Sequence, residues 1–414
     1  MRAIGQQLKK IWGSGRQIYP TPDKHRVLST KDSIKFRHLS PEARAERIFN
    51  DTGINVQCAP TLPKLNKLTE HVVAPFSSMG LSVIRGARIG GVMYENIPAA
   101  TEEPSVIAAI EKAKNECNKN GGVQVTADPT GTITGQVPFM MHEQIDLNAI
   151  KQLATLGVEN AQKLPKMARL KERGGGFLGE PRIVQLSERM GVIEMDMDAQ
   201  DAMGANLINL AMETVASILR EHGEDPLMAI LTNDASKRVS RARVELDTNS
   251  IPGGLEQARR IVQCSEFARI SEQRAVTANK GADNGIMAVA LATGQDTRAI
   301  SAALHFFARN LGHDGHYGPI CQWKINDQNQ LVGELQVPTP VGVVGRLPNT
   351  NPTIQNNLAL LGRPSAKTLG EIMAAVGLYS AYAAISALSG EGIIRGHMKL
   401  HNQAEAKSRS HTDS

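Results

Sequence analysis

The sequence predicts a mixed α/β protein built as a large domain interrupted by a smaller α/β domain, and three observations carry that prediction. The chain has 414 residues, enough for roughly two or three domains of about 150 residues. Short Val/Ile/Met runs broken by glycine lead into an Ala-rich helix in the first third, and a Gly-rich pattern returns after Thr232. Between 126 and 231 the pattern changes to alternating strands and helices, as expected of a separate module set into the larger domain. The resulting division is a flexible basic leader over 1–35, a large domain over 36–125 and 232–390, an inserted domain over 126–231, and a short end over 391–414.

The leader is polar, punctuated by Gly and Pro, and its Lys and Arg residues are opposed only by Asp23 and Asp32. Folded structure is expected from about Ile34. In Leu39-Ser40-Pro41-Glu42, Ser40 is the predicted N-cap and Pro41 the first residue of a short amphipathic helix. From Val72 to Ala99, Gly86, Gly90 and Gly91 separate short strands, and a helix runs from Pro104 to about Lys119 before Gly121-Gly122.

Two long helices are expected in or beside the inserted module. One covers Leu147 to Arg173 and ends at Gly174-Gly175-Gly176. The other runs from Asp201 to His222, with Leu207, Leu210, Ala211, Val215, Ile218 and Leu219 as its buried stripe. Ile193, Met195 and Met197 alternate with Glu194, Asp196 and Asp198, which reads as a half-buried strand. The most apolar stretch, Ile372 to Leu388, is Ala-rich and contains Gly377, Ser380 and Ser386, so it reads as a buried helix and not a membrane span. Residues 404–414 read as a disordered tail.

Composition narrows the function. Hydrophobic residues at 41% and charged residues at 21% are ordinary for a globular protein. Aromatics at 4% are too scarce to stack bases, and the net charge of +5 is not gathered into a Lys/Arg block, which argues against nucleic acid. Cys58, Cys117, Cys264 and Cys321 form no C-x-x-C pair, which fits neither a zinc site nor a disulfide framework and points to a reducing compartment. No apolar signal-peptide core follows the basic start, so the expected location is cytoplasmic, with no membrane partner. The pairs His397/His401 and His313/His316 lack a third ligand, so no metal is expected.

Neither G-x-G-x-x-G nor G-x-x-x-x-G-K-[ST] is present, so a dinucleotide would have to be held another way. Asp201-Ala-Met203-Gly204-Ala-Asn206 follows a strand and opens a helix, with small residues that let a phosphate reach free N–H groups; an ordinary capped helix reads the same. Asn279-Lys280-Gly281 sets a lysine among small residues near turn-forming glycines, a pattern also shared by solvated loops. Ala292-Thr-Gly-Gln-Asp296 follows a buried run and can bring a carboxylate toward that lysine. His397 lies in Arg395-Gly-His-Met-Lys-Leu-His401, after the Ala-rich helix.

These segments, in this order and spacing, resemble the signature blocks of hydroxymethylglutaryl-coenzyme A (HMG-CoA) reductase. Glu102-Glu103-Pro104-Ser105-Val-Ile-Ala-Ala109 is similar to the block carrying the family's catalytic glutamate. The resemblance runs from about Phe36 to His401 and is nearest the soluble bacterial-type class II enzymes. It departs at Glu70-His71-Val72-Val73-Ala74, which keeps the block's glutamate without its glycine, and in the short flap expected from the 17 residues after His397.

The resemblance implies a large substrate-binding domain, an inserted ferredoxin-like cofactor domain, and reduction of the thioester to mevalonate and free coenzyme A in two hydride transfers. It implies that Lys280 stabilises the hemithioacetal oxyanion, that Asp296 hydrogen-bonds Lys280, and that Glu103 is a general acid kept protonated by burial and a neighbouring carboxylate. His397 would protonate the leaving thiolate.

Ser105, Arg274 and Asn284 match positions that hold the hydroxymethylglutaryl group, Leu388 a position lining the thioester pocket, and Arg37 a contact to coenzyme A phosphates. Asp201, Met203, Gly204, Asn206, Asn233 and Glu70 match the dinucleotide side. In NAD-preferring relatives an acidic residue stands before the Gly-Gly-Gly run; here Lys166, Arg169 and Lys171 stand there, so NADPH is expected over NADH. The family implies a homodimer or higher even oligomer with active sites between subunits. A reductase of another acyl-coenzyme A and an inactive binding paralogue are the rival readings. Retention of Ser105, Arg274 and Asn284 argues against the first, and retention of every charged chemical residue argues against the second.

Overall fold

The computed structural model describes residues 36, 39, 41–54, 79–143, 145–390 and 392. The leader, Arg37, Ser40, Glu70, Cys58, His397 and the tail lie outside the described residues. The chain divides into two compact units, 1–57 and 58–414. The first contains helix α1 (Pro41–Thr52), which begins on the proline as expected.

Among the described residues, the second unit's first strands form the hairpin β1 (Gly80–Ile89) and β2 (Val92–Thr101). Ile89 pairs with Val92, so Gly90 and Gly91 form a two-residue turn; both have positive φ (57° and 80°), as the twist of an antiparallel pair demands. Helix α2 (Pro104–Lys119) follows, then β3 (Gln124–Ala127).

From here the chain runs β4 (Thr132–Met140), α3 (Leu147–Gln162), α4 (Pro165–Glu172), β5 (Gly176–Ser187), β6 (Met190–Asp198), α5 (Ala205–Glu221) and β7 (Ile230–Leu231). The four strands form one antiparallel sheet in the order β5-β6-β4-β7. This is the β-α-β-β-α-β arrangement of a ferredoxin-like fold, with a core of its own. Gly135 lets α5 settle on the sheet, since a Cβ there would lie 2.5 Å from Met212 Cγ.

Three expectations are corrected in this region. The helix expected over 147–173 is two helices, because Leu164 is extended ahead of Pro165, whose ring and missing N–H start a new helix instead of continuing the old one. β6 is buried on both faces, not one: Asp196 and Asp198 are only 9% and 5% exposed. Burial alone would raise the Asp196 pKa, but bonds from Arg182 (2.8 Å), Lys237 (2.7 Å) and Thr134 (2.6 Å) outweigh it and hold it at about 2. On α5 the stripe is rotated: Ile208 and Met212 are fully buried, while Leu207 and Leu210 are half-buried.

The remaining elements are β8 (Val239–Asp247), α6 (Gly254–Ile270), α7 (Glu272–Ala292), α8 (Thr297–Ala308), β9 (Cys321–Ile325), β10 (Gln330–Pro338), α9 (Arg346–Thr350), α10 (Pro352–Leu360) and α11 (Ala366–Ser389). A second antiparallel sheet has the order β3-β8-β10-β9. α11 is long and apolar enough to cross a membrane by length and composition, but 72% of its most apolar window is buried, so it is the core helix expected from its alanines. It lies against α7, where Gly285 permits close approach: a Cβ there would sit 2.5 Å from Val376 O and 2.8 Å from Ser380 Cβ. Gly285→Ala should therefore push the two helices apart and destabilise the protein by about 1–3 kcal/mol, measured by urea or thermal unfolding. An unchanged midpoint would contradict this packing.

Candidate active site

A cleft of about 960 Å³ opens between α2, α6, α7 and the C-terminal half of α11. Its lining includes Glu103, Ser105, Arg274, Lys280, Asn284 and Leu388. The elements fix these positions. α2 contributes Glu103 as its N-cap and Ser105 in its first turn, while α7 presents Arg274, Lys280 and Asn284 along one side. α11 is tied to both helices: Ser380 donates to Gly281 O on α7 (2.6 Å), and Tyr382 donates to Glu116 on α2 (2.8 Å).

Lys280 is not on a loop, as its small neighbours suggested. It sits in mid-helix, because Gly281 and Gly285 serve the contact with α11 and not a turn. Glu103 is exposed within one chain, not buried, and its carboxylate accepts from Ser105 N (3.0 Å). Ser105 Oγ is buried with no hydrogen-bond partner among the described residues, beside the cleft its residue lines. Such a group is costly unless something bound there engages it.

Asp296 is not at Lys280. It caps α8, accepting from Arg298 N and Ala299 N (both 3.1 Å). Lys280 lies twelve residues before the end of α7, about 18 Å back along the axis. Gln295, whose N–H bonds Ala290 O, keeps Asp296 near that far end. The acidic group nearest in sequence to Lys280 on α7 is Asp283, one helical turn on, which the sequence reading passed over. Asp283 Oδ1 is buried without a partner among the described residues. Burial pushes its pKa up to about 6, against the pull of the Lys280 charge. The signal for it in the sequence was the i, i+3 spacing from the lysine.

In the ferredoxin-like module, α5 begins at Ala205 and not at Asp201. Gly204 is its N-cap, left-handed (φ 100°) and without a side-chain cap, because a Cβ there would meet Ile133 Cδ1 at 2.4 Å. Asp201 is exposed and turned to another helix, accepting from Ala366 N at the start of α11 (2.8 Å). Met203 is half-buried, and Asn206 and Asn233 are exposed. Gly175 packs against the same turn, where a Cβ would meet Asp198 O at 2.7 Å, so α4 ends beside it. Lys166 and Arg169 are exposed on α4, and Met167 is in the core. No group of three His, Cys, Asp or Glu suited to a metal occurs among the described residues.

The family model for hydroxymethylglutaryl-coenzyme A reductase matches residues 41–402. This chain belongs to that family. It is similar to the 3-hydroxy-3-methylglutaryl-coenzyme A reductase of Archaeoglobus fulgidus, 33% identical over 380 residues, which cover 88% of this chain and 84% of that protein. It is also similar to the probable 3-hydroxy-3-methylglutaryl-coenzyme A reductase of Borreliella burgdorferi, 34% identical over 338 residues, 79% of this chain and 74% of that protein.

Among solved structures it is similar to the reductase of Streptococcus pneumoniae, with a TM-score of 0.72 at 30% identity, covering 84% of this chain and 93% of that one. A class II enzyme from the same organism, bound to NADPH in open conformations, gives a TM-score of 0.73 at 31% identity and covers 87% and 86%. The resemblance carried by the five sequence blocks, and its bacterial-type class II character, are borne out. HMG-CoA reductases are NAD(P)H-dependent oxidoreductases acting on a coenzyme A thioester.

Asp283 makes the stability of the fold depend on pH. Its folded pKa of about 6 lies above the ordinary 3.8, so its stabilising contribution is full below pH 3.8 and is lost as pH rises through about 6. Asp283→Asn, neutral throughout, should gain on the order of 2–3 kcal/mol at about pH 7.5 and nothing at about pH 4. Thermal melts of parent and variant at both pH values check this; the same difference at both would contradict it.

Proposed function

We propose that the protein reduces HMG-CoA to mevalonate and free coenzyme A at the cleft between α2, α7 and α11. The observation that carries this reading is the convergence on one cleft of Arg274, Asn284 and Lys280 with Ser105, whose buried hydroxyl has no partner among the described residues. Arg274 grips the substrate carboxylate with its planar fork, and Ser105 and Asn284 hydrogen-bond the hydroxymethylglutaryl group. Leu388 lines the thioester end. Lys112 and Arg260 also line the cleft and give coenzyme A phosphates cationic partners.

When bound, NADPH would supply the hydride for each of the two reductions, at the carbon that begins as the thioester carbonyl. Lys280 stabilises the oxyanion that develops on the carbonyl oxygen, an interaction worth several kcal/mol in a dry site. His397 protonates the departing coenzyme A thiolate, and Glu103 delivers a proton in the second reduction. Glu103, Lys280 and Asp296 are all exposed in a single chain, while a protonated carboxyl and a strong oxyanion contact both need water excluded. A second subunit closing over the cleft provides that exclusion and a route for Asp296 to reach Lys280, so a homodimer or higher even oligomer is the active form.

The residues present fit a dinucleotide. The uncapped N-terminus of α5 offers N–H groups to a diphosphate, with Asn206 and Asn233 exposed near it and the Gly174–Gly176 run against the same turn. We read 126–231 as the cofactor domain and 36–125 with 232–390 as the substrate domain. Lys166 and Arg169 on α4 supply cations for a 2′-phosphate, which favours NADPH over NADH.

Following absorbance of the reduced cofactor tests this function. The wild type should oxidise about two NADPH per HMG-CoA, and Lys280→Ala should lower kcat on the order of 10²–10³-fold. A fully active variant would remove Lys280 from the mechanism. In parallel assays, Lys166→Ala/Arg169→Ala should raise KM for NADPH about tenfold while leaving KM for NADH within a factor of about two. Equal effects on both cofactors would argue against the 2′-phosphate contact.

A further inference from the structure

We propose that Arg238 is a positioning residue for the dinucleotide: its buried guanidinium gathers the carbonyls of the Gln200–Met203 turn, so that the open N-terminus of α5 is presented to the cofactor's phosphates. The inference rests on the reading that the α5 N-terminus holds the dinucleotide.

Arg238 stands at the entry to β8, where the chain leaves the ferredoxin-like module, and is only 7% exposed. Its guanidinium donates to four main-chain carbonyls: Val341 O (2.6 Å), Ala202 O (3.2 Å), Gln200 O (3.4 Å) and Met203 O (3.4 Å). Three belong to the turn that leads into α5, and the fourth belongs to the segment after β10. A turn whose carbonyls converge on one cation directs its peptide dipoles toward that cation. The planar fork of arginine meets these four acceptors from two separated nitrogens, whereas a lysine ammonium has only three donors on one atom. Burial lowers the Arg238 pKa to about 10, against the pull of Asp198 and Asp201, and the group stays charged at neutral pH.

The turn needs such a hold. Gln200 adopts a left-handed conformation (φ 52°) that non-glycine residues seldom take, and Gly204 follows at φ 100°. Asp198 bonds Gln200 N (2.9 Å) and Gln200 Nε2 (2.8 Å), fixing the start of the turn. Asp201 fixes its middle to the larger core: its carbonyl accepts from Val343 N (2.9 Å) and its carboxylate from Ala366 N (2.8 Å). Gly342 leaves the turn no slack, since a Cβ there would lie 2.3 Å from Met203 N. Next in the chain, Lys237 reaches back to Asp196 inside the module (2.7 Å). Arg238 is thus where the two hydrophobic cores are joined through the turn that opens α5.

Steady-state kinetics on the full-length enzyme tests the proposal with R238K and R238M. Both should raise KM for NADPH about 10–100-fold while KM for HMG-CoA stays within about twofold and kcat at saturating NADPH within about threefold, with lysine the milder change. NADPH fluorescence titrations without HMG-CoA should show the same loss of affinity. Equal damage to both KM values, or an unchanged NADPH affinity in both variants, would overturn the assignment. Should R238M fail to fold, R238K carries the same test. Asn206→Asp, which sets a negative charge in the first turn of α5, separates the inference from the reading beneath it. If Asn206→Asp weakens NADPH binding and the Arg238 variants do not, the positioning role alone fails; if none of them does, the cofactor site itself lies elsewhere.

Discussion

The contact between α7 and α11 is the constraint from which the cleft follows. Gly285 brings the Val376 carbonyl and Ser380 against the α7 backbone, and Ser380 then closes a hydrogen bond onto Gly281 O. With that face of α7 buried against a helix, the face bearing Arg274, Asn284 and Lys280 is turned to the cleft. Tyr382, two residues after Ser380, fixes α2 by its bond to Glu116 and packs against Trp323 at 5.2 Å between ring centroids. One small residue therefore sets the spacing of the helices that line the cleft. Close packing transmits any error in that spacing to the side chains it positions.

The proposed cofactor side depends on polar fixation where the proposed substrate side depends on packing. The module containing β6 buries carboxylates that a surface strand would leave in water, and each is answered. Asp196 has Arg182, Lys237 and Thr134, and Asp198 has main-chain and side-chain N–H groups of Gln200 and Gly131 N. These pairs sit where the module joins the larger core, so they restrain the turn before α5 instead of merely stabilising a strand. Buried charges of this kind are weak contributors to net stability but strict about geometry.

The cleft and its α7 wall carry groups left unsatisfied within one chain. Ser105 Oγ and Asp283 Oδ1 are buried without partners among the described residues, while Glu103 and Lys280 face solvent. Groups left in that state lower stability unless something bound or packed there engages them. Asp283 belongs with them, as a carboxyl whose burial holds back its ionisation one helical turn from the lysine that the proposed reaction needs charged.

Sequence alone determined the family, the ferredoxin-like insertion, the Gly90-Gly91 hairpin and the limits of α2, because each rests on local signals: glycine at positive φ, proline at a first helical position, and blocks of residues in fixed order. It also named the polar residues that share the cleft. It failed where distant contacts outvote local preference. Lys280 read as a loop residue because its glycines look like turn formers, when they are there to admit another helix nearly a hundred residues on. β6 read as half-buried because its carboxylates look solvated, when cations from β5 and from the segment before β8 cover them. Asp201 read as the start of a helix, and the tertiary structure gives it to the first N–H of α11 instead. Local sequence carries turn and capping chemistry, which acts over a few residues; only the folded chain decides which remote backbone and which opposite charge a side chain will meet.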